Sequence, residues 1–404
     1  MTSGSWRSFD ARALAGALTG ALLLAGCAGG PHPSAPVASG PTGKPPADKS
    51  VAALARPLAG RVGFAEADLA PALTAFRRSC PKLLRRTDVS GLARADDWVD
   101  ACAAAATATD ARAFFTSQFV PVTVGSGAGL DTGYFEPELA ASRTRRPGFD
   151  VPLYRRPADL VDLDLGSFNP DLTGKHVRGR VAGATFVPYY DRAAIEDGAL
   201  AGRHLELAWA ADPYDAFFLE IQGSGRLRLP DGTIMRVGYD GQNGRGYTAI
   251  GKLLRDRGVL APGQATMDGI IGWMRAHPDD GKALMRQNLS YVFFAENTAV
   301  TDGPNGALGV ALTPQASVAG DPRFVPLGAP VWLDTQVDGR PFRRLVVAQD
   351  TGGAIKGENR FDIFWGAGEQ ARATAGGLSS TGAATILLPP AAAARLRHGP
   401  SASP

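Results

Sequence analysis

Two aspartates carry the strongest chemical signal in this 404-residue sequence. Both lie in residues 343–366, RRLVVAQDTGGAIKGENRFDIFWG. The stretch reads as strand, turn, strand. Leu345, Val346, Val347 and Ala348 are apolar and β-prone, Thr351-Gly352-Gly353 breaks the run, and residues 360–365 resume it. Asp350 ends the first strand and Asp362 sits inside the second. Asp is a poor strand former, so Asp362 between Phe361 and Ile363 needs a reason. Either its side of the strand faces water, or a carboxylate is held on rigid structure in a partly apolar cleft. A carboxyl of the second kind can give a proton to a leaving group and take one from an attacking group, if burial or a nearby like charge raises its pKa. Phe361, Phe364 and Trp365 offer apolar surroundings. Asp350 offers like charge if the ribbon folds back.

Two further patterns could carry chemistry. Asp131-Thr132-Gly133 and Asp350-Thr351-Gly352 form a pair of Asp-Thr-Gly tripeptides, which resembles the aspartic peptidases, where two carboxylates share one proton. In those enzymes Ser or Thr follows the tripeptide. Here Tyr134 and Gly353 follow, which counts against that chemistry and leaves good turn chemistry as the plain reading. The second pattern is the segment Gln222-Gly223-Ser224-Gly225 with residues 239–247. It mixes glycine, amide, hydroxyl and aromatic groups, as a sugar-binding surface does. The histidines 32, 176, 204, 277 and 398 form no cluster, so no metal and no cofactor is implied. Lys356 reads as a solvated turn residue.

The elements that must position these groups follow from composition and pattern. A 45% hydrophobic, 20% charged chain is globular, and a formal net charge of +3 without a basic stripe argues against nucleic acid as a partner. The 50 glycines and 30 prolines suggest many turns and short strands. Helices are expected over residues 68–80 and 95–106, and from Thr109 as N-cap through Phe115 and Phe119. Strands are expected at 119–124, 151–154, 186–190, 204–209 and 216–222, the last forming a hairpin with 233–239. Residues 160–180 are poorly patterned. Helices follow at 247–257, 266–276 and 281–287, and strands at 291–294, 309–313, 331–333, 345–349, 361–365 and 383–388. Closely spaced turns among the last strands suggest a small closed barrel.

The N-terminus is a targeting segment. Arg7 and Arg12 precede an apolar run, 13–26, that is too short for a comfortable membrane span. The run ends Leu24-Ala25-Gly26-Cys27, which resembles a bacterial lipoprotein signal over residues 1–26 with Cys27 as the lipidated residue. That resemblance implies a periplasm-facing lipid anchor, and Ala28 after the Cys points to the outer membrane. Residues 27–50, rich in Pro, Gly, Ser and Ala, read as a flexible tether, with a reach of roughly 70 Å at ~3.1 Å per residue. Cys80 and Cys102 lie on two expected helices. In an oxidising compartment they suit a disulfide, and otherwise two small core positions.

The motifs, taken in order, resemble one family. Thr132-Gly133-Tyr134-Phe135, FFLEIQGSGRLRLPDGT from Phe217, GYDGQNGRGYTAIGKLL from Gly238, QNLSYVFF from Gln287, LTPQASVAGDPRFVPLG from Leu312 and the ribbon at 343–366 closely resemble the membrane-bound lytic murein transglycosylase A family. The resemblance implies a mainly β architecture with a helical N-terminal part. A double-psi β-barrel would comprise residues 51–137 and 295–397, with an inserted, smaller β-rich domain at 138–294 and a substrate groove between them. It implies cleavage of the β-1,4 bond between N-acetylmuramic acid and N-acetylglucosamine in peptidoglycan without water, leaving 1,6-anhydro ends. Asp362 matches the family's catalytic acid, which then serves as base, and Asp350 takes a supporting role. Thr132, Gly133, Tyr134, Gln222, Ser224, Gly225, Tyr239, Asn243 and Tyr247 match substrate-binding motifs. Peptidoglycan strands are the implied partner, with the membrane through Cys27 and cell-wall synthesis machinery beyond. Two alternatives stand beside this reading: a glycoside hydrolase on the same fold, and a non-catalytic murein-binding lipoprotein.

Overall fold

The continuous apolar run 345–348 is buried along its length, as expected of a strand covered on both faces. It belongs to Arg340–Asp350, one of six strands whose pairings close into a ring. In spatial order these are Ser379–Leu388, Pro330–Val337, Arg340–Asp350, Ser317–Gly320, Arg360–Ala367 and Ala128–Glu136, with the last pairing back to the first. Two pairings are parallel, Ser317–Gly320 with Arg340–Asp350 and Arg360–Ala367 with Ala128–Glu136. The others are antiparallel. This computed structural model describes residues 51–60, 62–64, 67–261, 263–297 and 303–397. The signal segment 1–26, the lipidation candidate Cys27 and the tether 27–50 lie outside them.

The ring matches the expected barrel, but the protein as a whole is mixed helix and sheet. The main core fills one face of the ring and continues into the N-terminal helices Ala70–Leu83, Val99–Thr107 and Ala111–Gln118. There Phe76 packs against Trp98, Phe114, Phe115 and Phe119, with ring centroids 5.4–6.3 Å apart. Gln349, fully buried, ties the ring to the first of these helices by donating to Ala75 O (2.8 Å) and Ser79 Oγ (2.9 Å). Cys80 and Cys102 are disulfide-bonded, with Cα atoms 5.5 Å apart, so the bridge between paired helices is present. The cap of the third helix is Asp110 rather than Thr109, because its carboxylate accepts from both Arg112 N and Ala113 N.

Between the strands Ala128–Glu136 and Ser317–Gly320 the chain builds a six-stranded and a three-stranded sheet. The six strands run in the order Val292–Glu296, Ile234–Gln242, Ser224–Arg228, Glu138–Ser142, Glu206–Ala210, Val151–Tyr154. The three come from Val161–Asp164, His176–Ala182 and Thr185–Pro188, so the poorly patterned 160–180 region is two strands joined by the short 3-10 helices Leu165–Ser167 and Pro170–Leu172.

Two expected strands are not strands. Pro213–Gln222 is an α-helix. Asp212 accepts from Tyr214 N and Asp215 N, Pro213 starts the first turn, and Gly223 at φ 76° ends it. These cap and stop residues outweigh the β-prone Phe217-Phe218-Leu219-Glu220-Ile221. The hairpin therefore begins at Ser224, pairing Ser224–Arg228 with Ile234–Gln242. Likewise residues 309–313 form only part of a loop with an isolated Asn305–Ala311 bridge, and the strand falls at Ser317–Gly320.

Candidate active site

Asp350 and Asp362 do not face each other across a hairpin. The short strand Ser317–Gly320 runs between their strands, and Ala319 is the register partner of both. Thr132 is the next partner beyond Asp362, and Ser379 the next beyond Thr132. Partners in register present side chains on one face, so Asp350, Ala319, Asp362 and Thr132 occupy one rung of the ring. Two inter-strand spacings separate the two aspartate backbones by roughly 10 Å. Phe361 and Ile363 point into the main core, while Phe364, on the Asp362 side, joins a small outer cluster with Tyr134, Leu312, Ala319 and Ile355.

The two carboxylates are held differently. Asp350 is saturated: Oδ1 accepts from Ala307 N (2.8 Å) and Thr351 N (2.9 Å), and Oδ2 accepts from the Tyr134 hydroxyl (3.0 Å). Burial pushes its pKa up, and these donors oppose the shift. Asp362 receives one hydrogen bond, from the Thr132 hydroxyl to Oδ1 at 2.6 Å. Among the described residues nothing donates to its Oδ2. Burial raises the Asp362 pKa to about 6; Thr132 and the Arg360 guanidinium pull it down, and the Asp350 charge adds to the rise. The second explanation for a carboxylate in this strand, a site in a partly apolar cleft, is the one the surroundings support.

Arg360 gave no chemical signal in the sequence beyond its place two residues before Asp362. Its Nη2 donates to Thr132 Oγ1 (2.9 Å), and its Nη1 donates to Leu130 O (3.2 Å) and Phe361 O (2.6 Å). Alternation along a strand puts residues i and i+2 on one side, which is the pattern that could have pointed to it. Asp131, one residue from the rung, is 2% exposed. Burial raises its pKa to about 6, and the Asp362 charge adds to the rise.

The sequence candidates divide on inspection. Thr132 and Tyr134 sit beside the carboxylates but are engaged by them. Gly133 lies under another helix: a Cβ there would come within 2.8 Å of Ala375 Cα and Trp365 Nε1. Gly225 is similar, with a Cβ position 2.3 Å from Leu219 Cδ1. Both glycines permit close packing rather than lining a groove. Gln222 Oε1 accepts from Phe135 N (3.1 Å), joining the inserted region to the ring. Ser224 is buried in its strand.

Asn243 is 0% exposed and saturated, donating to Tyr190 O and Leu289 O and accepting from Tyr291 N and Arg245 N. It fastens the 239–247 loop and has no group left for a ligand, which corrects its placement as a sugar contact. Tyr239 is 53% exposed, with its hydroxyl accepting from Arg178 Nη1 at 3.1 Å. Tyr247 lies opposite the Asp350 turn, its Cβ 4.0 Å from where a Gly353 Cβ would stand. Burial and then the Asp362 charge raise the Tyr247 pKa. The loop thus sets both aromatics at the surface, Tyr247 (37% exposed) opposite the Asp350 turn and Tyr239 farther out.

Helix Glu369–Gly377, packed on the strands Ala128–Glu136 and Arg360–Ala367, meets helix Met267–Ala276 through an Arg372–Asp268 ion pair. No group of acidic, His or Cys residues suited to a metal occurs among the described residues. No helix among them is long and apolar enough to cross a membrane.

Comparisons with known proteins follow this geometry. Residues 130–295 match the family model of the MltA specific insert domain, and residues 316–388 match the 3D domain. The membrane-bound lytic murein transglycosylase A of Escherichia coli (strain K12) is 33% identical over 265 residues, covering 63% of this chain. The match spans 64% of that relative's length, just under two-thirds. Among solved structures, a membrane-bound lytic murein transglycosylase from Agrobacterium tumefaciens superposes with a TM-score of 0.77 at 33% identity, covering 85% of this chain and 99% of that one. Escherichia coli MltA with bound chitohexaose superposes with a TM-score of 0.61 at 26% identity, covering 83% and 92%.

Proposed function

The chain belongs to the membrane-bound lytic murein transglycosylase A family, and from that premise we propose that it cleaves peptidoglycan glycan strands without water, using Asp362 alone as acid and then base. The observation that carries the reading is the unequal state of the two aspartates. Asp350 has three donors on its carboxylate. Asp362, with a pKa of about 6, keeps one oxygen free of protein donors.

In this mechanism the free oxygen of Asp362 carries the proton. It passes to the glycosidic oxygen as the bond from muramic C1 to that oxygen breaks. The new carboxylate then takes the proton of the C6 hydroxyl on the same muramic residue, and that oxygen bonds C1. The acid is regenerated and a 1,6-anhydro end remains. The attacking hydroxyl is already part of the substrate, which supplies the proximity that a bound water would otherwise need. A hydrolase would need a second carboxylate to attack C1 or to activate water. Asp350, committed to Ala307, Thr351 and Tyr134, suits support better than that task.

The glycan would lie in a groove between the ring and the inserted region, consistent with domains at 51–137 plus 295–397 and at 138–294. Tyr247 and Tyr239 are the candidates for covering sugar faces. A relative with bound chitohexaose supports a glycan ligand. Relatives named as membrane-bound support membrane attachment, and the signal-like segment supports a lipid anchor at Cys27, facing the periplasm from the outer membrane.

The test is digestion of purified sacculi followed by mass spectrometry of the released muropeptides. Anhydro ends are the expected product. Ordinary reducing ends would replace this reading with hydrolysis, and binding without release would leave a murein-binding lipoprotein. Asp362→Asn is expected to abolish release while retaining sacculus binding; full activity in that variant would refute the assignment of the acid.

A further inference from the structure

Where the end of helix Ala70–Leu83 meets the loop that carries Ala307 lies an open recess of about 360 Å³ lined by Pro81, Lys82, Arg85, Arg86 and Leu308. Among the described residues no carboxylate pairs with Lys82, Arg85 or Arg86. The bland account is that basic residues offset the negative end of helix Ala70–Leu83. That account covers Lys82, in the last turn, but Arg85 and Arg86 lie past the helix end. A macrodipole end carries about half an elementary charge, and three cations exceed it.

The recess is tied to the site by a short path. Ala307 N donates to Asp350 Oδ1 (2.8 Å), and the neighbouring Leu308 N donates to Gln349 O (3.0 Å) while Leu308 lines the recess. Lys82 Nζ stands 3.4 Å from where a Gly309 Cβ would be. The Cys80–Cys102 disulfide fixes the helix immediately before Pro81. The cations are thus mounted on a braced platform beside the loop that holds Asp350.

We propose that Lys82, Arg85 and Arg86 form a binding site for the free carboxylates of the peptide stems carried by the glycan strand. The proposal rests on the function proposed above and specifies its substrate as stem-bearing murein. The recess adjoins the loop whose Ala307 N–H holds Asp350, and Asp350 stands roughly 10 Å from Asp362 across two strand spacings. A four-residue stem extended from a muramic residue spans at most about 14 Å. Exposed cations on a recess gain from anionic ligands mainly at low ionic strength, so the interaction is salt-sensitive.

The test measures binding separately from cleavage. Soluble glycan strands are prepared in two forms, with stems intact and with stems removed by an amidase. Affinity for each is measured with the Asp362→Asn protein, which is not expected to digest them, and with the same protein also carrying Lys82→Gln, Arg85→Gln and Arg86→Gln. The expected result is a loss of at least tenfold in affinity for stem-bearing strands, shrinking at high salt, with less than twofold change for stripped strands. Unchanged affinity for stem-bearing strands would overturn the proposal, as would an equal loss on both forms. Competition by inorganic phosphate with no preference between the two forms would mark a general anion site and overturn it as well. Failure of the glycan reading itself is distinguishable, because stripped strands would then bind neither protein.

Discussion

The Thr132 hydroxyl donates to Asp362 Oδ1 at 2.6 Å while accepting from Arg360 Nη2 at 2.9 Å. Arginine has only donors. Arg360 therefore fixes the direction of the chain of hydrogen bonds: the hydroxyl proton of Thr132 must point at Asp362. Oδ1 is then an acceptor, so on the mechanism proposed above the proton of the acid sits on Oδ2, which receives no donor among the described residues.

Removing that relay should be visible in the titration. In Thr132→Val the hydrogen bond that stabilises the ionised carboxylate is gone, so the Asp362 pKa is expected to rise above about 6. The upper limb of the pH–rate profile should move to higher pH, and kcat should fall about tenfold as the carboxyl loses its fixed orientation. Thr132→Ser keeps the hydroxyl and should restore both. Profiles of kcat/KM on soluble glycan, from pH 4 to 8, check this.

For the unmodified protein the sign is the same in activity and in stability. A general acid must be protonated, so kcat/KM is expected to fall about tenfold per pH unit above the Asp362 value of about 6. Asp131 has a folded pKa of about 6 against the ordinary 3.8. The folded state thus binds more protons than the unfolded one between these values, and stability is lost as pH rises from about 4 to about 6. Asp131→Asn should remove up to about 3 kcal/mol of that pH dependence. Urea denaturation at pH 4 and pH 7.5 measures it: the two proteins should diverge in the Asn variant's favour only at the higher pH.

Asp350→Asn separates support from chemistry. The amide keeps one oxygen for Ala307 N and Thr351 N and turns its NH2 toward the Tyr134 hydroxyl, which must then accept, and the loss of the charged acceptor costs about 1–3 kcal/mol. The Asp350 charge raises the Asp362 pKa, so its loss should move the upper activity limb to lower pH. Activity is expected to drop without a change in product, leaving anhydro ends as the only new ends. Complete loss of cleavage with sacculus binding retained would show Asp350 taking part in the bond change itself.

The Cys80–Cys102 bridge closes a loop with a sequence separation of 22. Its removal in Cys80→Ala/Cys102→Ala is expected to cost about 3 kcal/mol through the freed unfolded chain. Thermal denaturation of the variant should match that of the reduced wild type. A melting point equal to that of the oxidised wild type would mean the helices are held by the Phe76 cluster alone.

Much of the ring was legible because its signals are local. The apolar run 345–348, the β-prone residues 361–365 and the turn at Thr351 each follow from a few neighbouring residues. Cys80 and Cys102 on two expected helices left a disulfide and two small core positions both open, with the secretion-type N-terminus favouring the bond that the structure shows. Where two local signals conflicted, as in Pro213–Gln222, the capping residues Asp212 and Gly223 prevailed over β-branched and aromatic propensity. Asn243 was misplaced because sequence shows its amide but not that Tyr190, Leu289, Tyr291 and Arg245 consume all its hydrogen-bonding capacity.

By itself the sequence determined that Asp362 sits in a strand, facing either water or a partly apolar cleft, and that a Gly-rich turn separates it from Asp350. Only the tertiary structure decided how the two differ. A strand distant in sequence, Ser317–Gly320, enters between theirs. Its Ala319 sets both carboxylates on one rung, Ala307 and Tyr134 arrive to saturate one of them, and Thr132 and Arg360 arrive to orient the other. Non-local strand pairing and the supply of hydrogen-bond donors depend on which segments meet in space, and no local pattern of residues carries that information.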